Sequence, residues 1–132
     1  MKETNKIDAT SIKSYEDALK FLKRSDDTSK LTTCHNAKAL IAIEKLITIA
    51  EAWNKADNFV PDFDNCNQYK FFPWFMYKDK SAGFVYAGTT FTASSAHAII
   101  GSRLCFSTRE RAEQFGTMFR DLWKDFLIFN KQ

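Results

Sequence analysis

The apolar positions change period along this chain, from helical spacing to alternation and back again. Tyr15, Ala18, Leu19 and Leu22 lie about a helical turn apart. They follow Ser14, a suitable N-cap, with Asp17 three residues on, so a short helix is expected over 15–24. The polar run 24–30 reads as a loop. Thr32 or Thr33 then opens a longer helix, expected over about 34–55. Leu40, Ile43, Ile47, Ala50 and Trp53 share one face of it, and Ile41, Leu46 and Ile49 widen that face. Lys38, Lys45, Thr48, Glu51 and Lys55 mark its solvent side. So broad an apolar surface belongs to a central core helix. Residues 1–11 are polar and expected to fray.

Residues 56–68 are rich in Asp and Asn and form a loop. Three strands are expected after it, over 69–77, 83–91 and 99–106. A polar connection, 78–82, joins the first two as a hairpin. Pro73 has no N–H to donate, so the first strand is an edge or carries a bulge. Ser107 and Glu110 make a capping-box pattern before a last helix over 107–129, in which Ala112, Phe115, Phe119, Leu122 and Phe126 recur at helical spacing. The order α-α-β-β-β-α describes one α+β domain over 1–132, with a small three-stranded antiparallel sheet packed against helices.

The segment 69–77 is apolar on both of its alternating sides. Tyr69, Phe71, Pro73, Phe75 and Tyr77 alternate with Lys70, Phe72, Trp74 and Met76. One side must pack on helices. The other is covered by the last helix or by another subunit, or it is an aromatic surface for a ligand. Thirteen Phe in 132 residues support either arrangement, because such rings bury about 150–250 Å² each. The net charge of +3 is unevenly placed: +2 over 1–56, −3 over 57–68 and +4 over 69–132. That density is far below a dedicated nucleic-acid stripe.

Cys34, Cys66 and Cys105 are widely spaced and odd in number, which fits reduced thiols. The polar start carries no signal-peptide pattern, and no apolar run approaches the roughly 18 residues that span a bilayer. A soluble cytoplasmic protein with no membrane partner is expected.

Ile49-Ala50-Glu51-Ala52-Trp53-Asn54, Pro61-Asp62-Phe63-Asp64-Asn65, Gln68 to Phe75, Gly101 to Phe106 and Asp125-Phe126-Leu127-Ile128 occur in that order. In these segments the chain resembles a group of small uncharacterised proteins of phages, prophages and mobile elements of gut bacteria. The likeness covers more than half of the chain. Cys66 stands where similar proteins often have proline. The resemblance implies a genetic setting, with the host cytoplasm or the virion as location, and no catalytic residues.

Chemistry-bearing patterns are few. Asp62 and Asp64 match the first two ligand positions of a calcium loop, but Cys66, Asn67 and Pro73 occupy the later ones. Turn capping by Asp and Asn side chains explains that loop. Cys34, His35, Cys66, His97 and Cys105 lack the close pairs of a zinc site. Ser94, Ser95, His97 and Ser102 cluster without a nucleophile motif around them, and the four glycines form no phosphate-binding pattern. No cofactor, metal site or catalytic residue is assigned. The expected activity is non-enzymatic binding of a protein partner, self-association included. The alternatives are single-stranded nucleic acid on the aromatic sheet face, and a small-molecule pocket or unrecognised enzyme. The candidate surface is Tyr69, Lys70, Phe72, Trp74, Tyr86 and Arg103.

Overall fold

The computed structural model describes residues 7–77, 83–92 and 102–128. Helix α1 spans Tyr15–Leu22 and α2 spans Ala37–Ala56. Strand β1 (Lys70–Tyr77) and strand β2 (Phe84–Thr92) form an antiparallel hairpin. Helices α3 (Arg109–Met118) and α4 (Arg120–Leu127) follow.

Local chemistry sets the helix starts. The Ser14 hydroxyl accepts from the Asp17 N–H at 3.0 Å, and the Asp17 carboxylate accepts from the Lys13 N–H at 3.1 Å. Two backbone donors at the start of α1 are thereby satisfied. At α3 the cap is Thr108 rather than Ser107, its hydroxyl accepting from the Arg111 N–H at 3.0 Å. The polar start of the chain is folded from Ala9 onward and does not fray there. Ala9–Ser11 forms a 3₁₀ turn, Ala9 and Ile12 are buried, and the Ile12 carbonyl accepts from Trp53 Nε1 at 2.9 Å.

Helix α2 lies at the centre, with α1 and α4 both packed on it. Two of its positions depart from the expected faces. Leu40 is exposed near the start of the helix, and Thr48, placed on the wet side by pattern, is buried. Lys45 reaches the Tyr15 ring, 5.5 Å from its centroid, so α1 covers part of the nominal solvent face. Trp53 is the hub of the core. Phe106, Phe115 and Phe119 meet it edge-on at centroid distances of 6.3, 5.3 and 5.7 Å, the geometry that ring quadrupoles favour.

The expected three-stranded sheet is not formed: the described residues hold a two-stranded one. Of the span 99–106, residues 99–101 lie outside the described residues. Ser102–Leu104 form a 3₁₀ turn, and among the described residues of the span only Phe106 pairs with β1. It does so through Phe71 N to Phe106 O at 3.0 Å and Phe106 N to Phe71 O at 2.8 Å. The reason lies in Pro73. Antiparallel strands direct alternate residues' N–H and C=O groups to opposite neighbours. The edge of Phe71 that faces Phe106 is therefore the edge of Pro73 as well, two residues on. The next bond of a third strand would need the N–H that proline lacks. The same placement costs the hairpin nothing, because that edge points away from β2. The register slips once, between Trp74 (opposite Gly88) and Phe75 (opposite Tyr86), which leaves Ala87 as the extra residue of a bulge on β2.

The last helix is two helices. Phe119, with φ −114° and ψ 30°, ends α3 and opens α4. Its ring sits in the Trp53 cluster, and the turn in direction brings Trp123 within 5.1 Å of Phe75.

Candidate functional site

The hairpin has two unlike faces. Phe71, Pro73 and Phe75 of β1 face the C-terminal helices. Phe75 stacks on Phe84 at 4.9 Å and meets Trp123. Pro73 comes so close to α3 that a Cβ on Gly116 would stand 2.9 Å from its Cβ. Helices α3 and α4, which occupy most of the span considered above as cover for the second aromatic face, thus cover this first one.

The opposite alternation is buried at one end and open at the other. Lys70 is wholly buried, and Phe72 is nearly so. The Lys70 ammonium donates to the Gln68 carbonyl at 2.8 Å and the Asn65 carbonyl at 3.1 Å, and lies 5.0 Å from the Phe63 ring centroid. The Asp/Asn-rich loop therefore folds over this end of the face, with Lys70 as its anchor. The loop is stitched by its own side chains. Asp62 Oδ1 accepts from the Asp64 N–H and Asn65 Oδ1 from the Asn67 N–H, both at 2.9 Å, while Gln68 spans from Asp62 to Val60. Farther along β1, Trp74 is 46% exposed and Met76 41%. The Trp74 indole lies over Gly88, where a Cβ would stand 3.2 Å from Nε1.

The six candidate residues do not meet on one surface. Lys70 and Phe72 are buried under the loop end. Trp74 is open on the same face. Tyr69 is exposed on the opposite alternation, stacked on Phe91 at 4.9 Å. Tyr86 is half-buried, its hydroxyl hydrogen-bonded to that of Thr89. Arg103 lies elsewhere again, on the rim of a groove of about 500 Å³ beside the C-terminal half of α2. A different cation, Arg109, approaches the aromatic cluster: its guanidinium sits 5.5 Å from the Phe71 ring centroid and donates to the Thr89 carbonyl at 2.8 Å.

The groove is the feature that sequence reasoning missed. Its lining includes Ile47, Asn54, Lys55, Phe59, Pro61 and Arg103. The available signal was Asn54, an amide embedded in the apolar stretch of α2. It is 6% exposed, and its Nδ2 donates to the Cys105 carbonyl at 2.8 Å. Its Oδ1 is buried without a hydrogen-bond partner among the described residues, a cost on the order of 1–3 kcal/mol while it stays unmet. Nearby, the Arg111 guanidinium grips Asp57 through two bonds of 2.8 and 3.2 Å and also reaches Asp8 at 3.1 Å. It thereby ties the end of α2, the first turn of α3 and the start of the chain together.

Among the described residues no three His, Cys, Asp or Glu side chains come together as a metal site, and no helix is long and apolar enough to cross a membrane. Cys34 and Cys66 are exposed. Burial pushes the Cys105 thiol up to about 11, partly offset by the nearby Lys70 charge. Ser94, Ser95 and His97 lie outside the described residues. No protein-family model matches the chain, and no curated protein or solved structure is similar to it.

Proposed function

We propose that this protein is a non-enzymatic binding protein that associates with a second copy of itself through the open end of the hairpin's outer face. The observation that carries the proposal is Trp74, a large ring left 46% exposed on a strand whose preceding residues on the same face are buried. Trp is enriched among residues that dominate interface energies, because it removes much apolar area from water at little entropic cost. Met76 extends the patch. The one charged residue of this β1 face, Lys70, is buried and occupied by carbonyls. An uncharged apolar patch complements another like itself across a two-fold axis.

Sedimentation across a concentration series tests this. A dimer is expected that persists from about 0.05 to 0.5 M salt, since no ion pair holds it, and that Trp74→Ser dissociates into a monomer with an unchanged far-ultraviolet circular-dichroism spectrum. A wild-type protein that stays monomeric throughout, or a dimer indifferent to Trp74→Ser, overturns the proposal. The nucleic-acid alternative is weakened by the occupation of Lys70 and by the separation of Arg103 from the sheet aromatics. It retains the Tyr69–Phe91 stack beside Arg109, and oligonucleotide binding that falls steeply with salt and is lost in Arg109→Gln would favour it. A phage or mobile-element setting belongs to the same proposal and rests on residue likeness alone.

A further inference from the structure

The groove beside α2 combines three properties that together describe a ligand. Its floor and sides are apolar, from Ile47, Phe59 and Pro61. Its charge is positive in effect. Glu51 also lines it but is ion-paired with Arg24, whereas Lys55 and Arg103 make no ion pair among the described residues. Its wall contains Asn54, whose Nδ2 is committed to the Cys105 carbonyl and whose Oδ1 has no donor among the described residues. The volume, about 500 Å³, lies in the small-ligand range of roughly 300–1,000 Å³.

A carboxylate, an N–H donor and an apolar side chain are all borne by one carbon atom at the end of a polypeptide. We propose that this groove binds the C-terminal residue of a partner polypeptide. The terminal carboxylate is held by Lys55 and Arg103, and an apolar side chain rests on Ile47, Phe59 and Pro61. Asn54 Oδ1 is sealed from solvent in this structure, so the amide N–H meets it as the Asn54 side chain turns towards the groove on binding. Both cations are exposed, so they attract the carboxylate before contact and confer selectivity more than raw affinity. The site is independent of the hairpin patch, and neither its success nor its failure depends on self-association.

The test uses the full chain, labelled for amide NMR, with three probes: acetyl-Ala-Ala-Phe as the free acid, the same peptide as its C-terminal amide, and N-acetylphenylalanine. The free-acid peptide is expected to shift the Asn54 side-chain amide and the backbone signals of residues 58–61 saturably. The amide should bind about tenfold more weakly, since two exposed charge pairs are lost. Lys55→Gln and Arg103→Gln should each weaken the acid by about threefold and leave the melting temperature and the amide's affinity unchanged. Equal binding of acid and amide, or an acid that shifts nothing near the groove, overturns the proposal. N-acetylphenylalanine binding as tightly as the peptide also overturns it, by showing that the site takes a free small acid.

Discussion

Replacing Gly116 by alanine separates the packing of α3 on the hairpin from the intrinsic preferences of the helix. Gly116 is a buried position within α3. In an unhindered helix the change stabilises by about 1 kcal/mol, because alanine loses less backbone entropy on folding. Here the new Cβ would stand 2.9 Å from Pro73 Cβ, 3.1 Å from Tyr86 Cδ1 and 3.4 Å from Pro73 Cγ. None of these atoms yields easily. The proline ring cannot rotate away, and the Tyr86 hydroxyl is tied to Thr89. The helix must lift from the strand, and overpacking of this kind costs about 1–3 kcal/mol. The net expectation is a loss of about 1 kcal/mol, or a melting temperature lower by about 3–5 °C for a chain of this size. Urea denaturation followed by tryptophan fluorescence measures it, with Thr117→Ala as the control. Thr117 is exposed on the same helix and bonds back to the Glu113 carbonyl, so its replacement should stabilise by a few tenths of a kcal/mol (about 0.3–0.6). If Gly116→Ala raises the midpoint as Thr117→Ala does, α3 does not press on Pro73 and the account of the hairpin's inner face is wrong.

Arg111→Gln should destabilise the fold by about 1–3 kcal/mol, between the values for exposed and buried pairs, because the Arg111 and Asp57 side chains are only 22% and 15% exposed. A double-mutant cycle with Asp57→Asn should return a coupling of about 1–2 kcal/mol, and additive losses would refute the fork. A thiol reagent should modify Cys34 and Cys66 rapidly in the native protein and Cys105 only on unfolding, and three equally fast thiols would contradict the burial at Cys105. Stability should also decline in alkali. Burial raises the Cys105 thiol from 9.0 to about 11. Burial, with the bond to Asp26, raises the Tyr15 hydroxyl from 10.0 to about 12. The unfolded chain therefore releases these protons first, and the folded state loses ground as pH rises from about 9 to 12. Midpoints that stay level over that range would contradict it.

Much of the architecture was legible because local rules operate on adjacent residues. The Ser14 cap, the breadth of α2 and the turn chemistry of Asp62 to Asn67 follow from side chains that act within four positions of themselves. The hairpin followed from alternation, and the effect of Pro73 on the edge followed from its missing donor. The third strand and the single last helix were misread for the opposite reason. Whether 99–106 pairs along its length depends on which edge of β1 it meets, and that edge is the one Pro73 has emptied. Whether 107–129 runs straight depends on Phe119 being drawn into the Trp53 cluster.

The binding surface divides in the same way. The sequence by itself determined that the segment 69–77 is apolar on both sides, that only Lys70 interrupts it, and that metal and cofactor motifs are lacking. Tertiary structure decided what becomes of those residues. Lys70 reads as a phosphate contact by type, yet the loop that precedes it in sequence closes over it and engages its ammonium with two carbonyls and the Phe63 ring. Trp74, four residues on, stays open because that loop reaches no farther along the strand. Asn54, Lys55, Phe59 and Arg103 become a groove only because α2 and the turn before Cys105 are brought together. Burial is a property of what arrives from elsewhere in the chain, so no pattern along the chain could have assigned it.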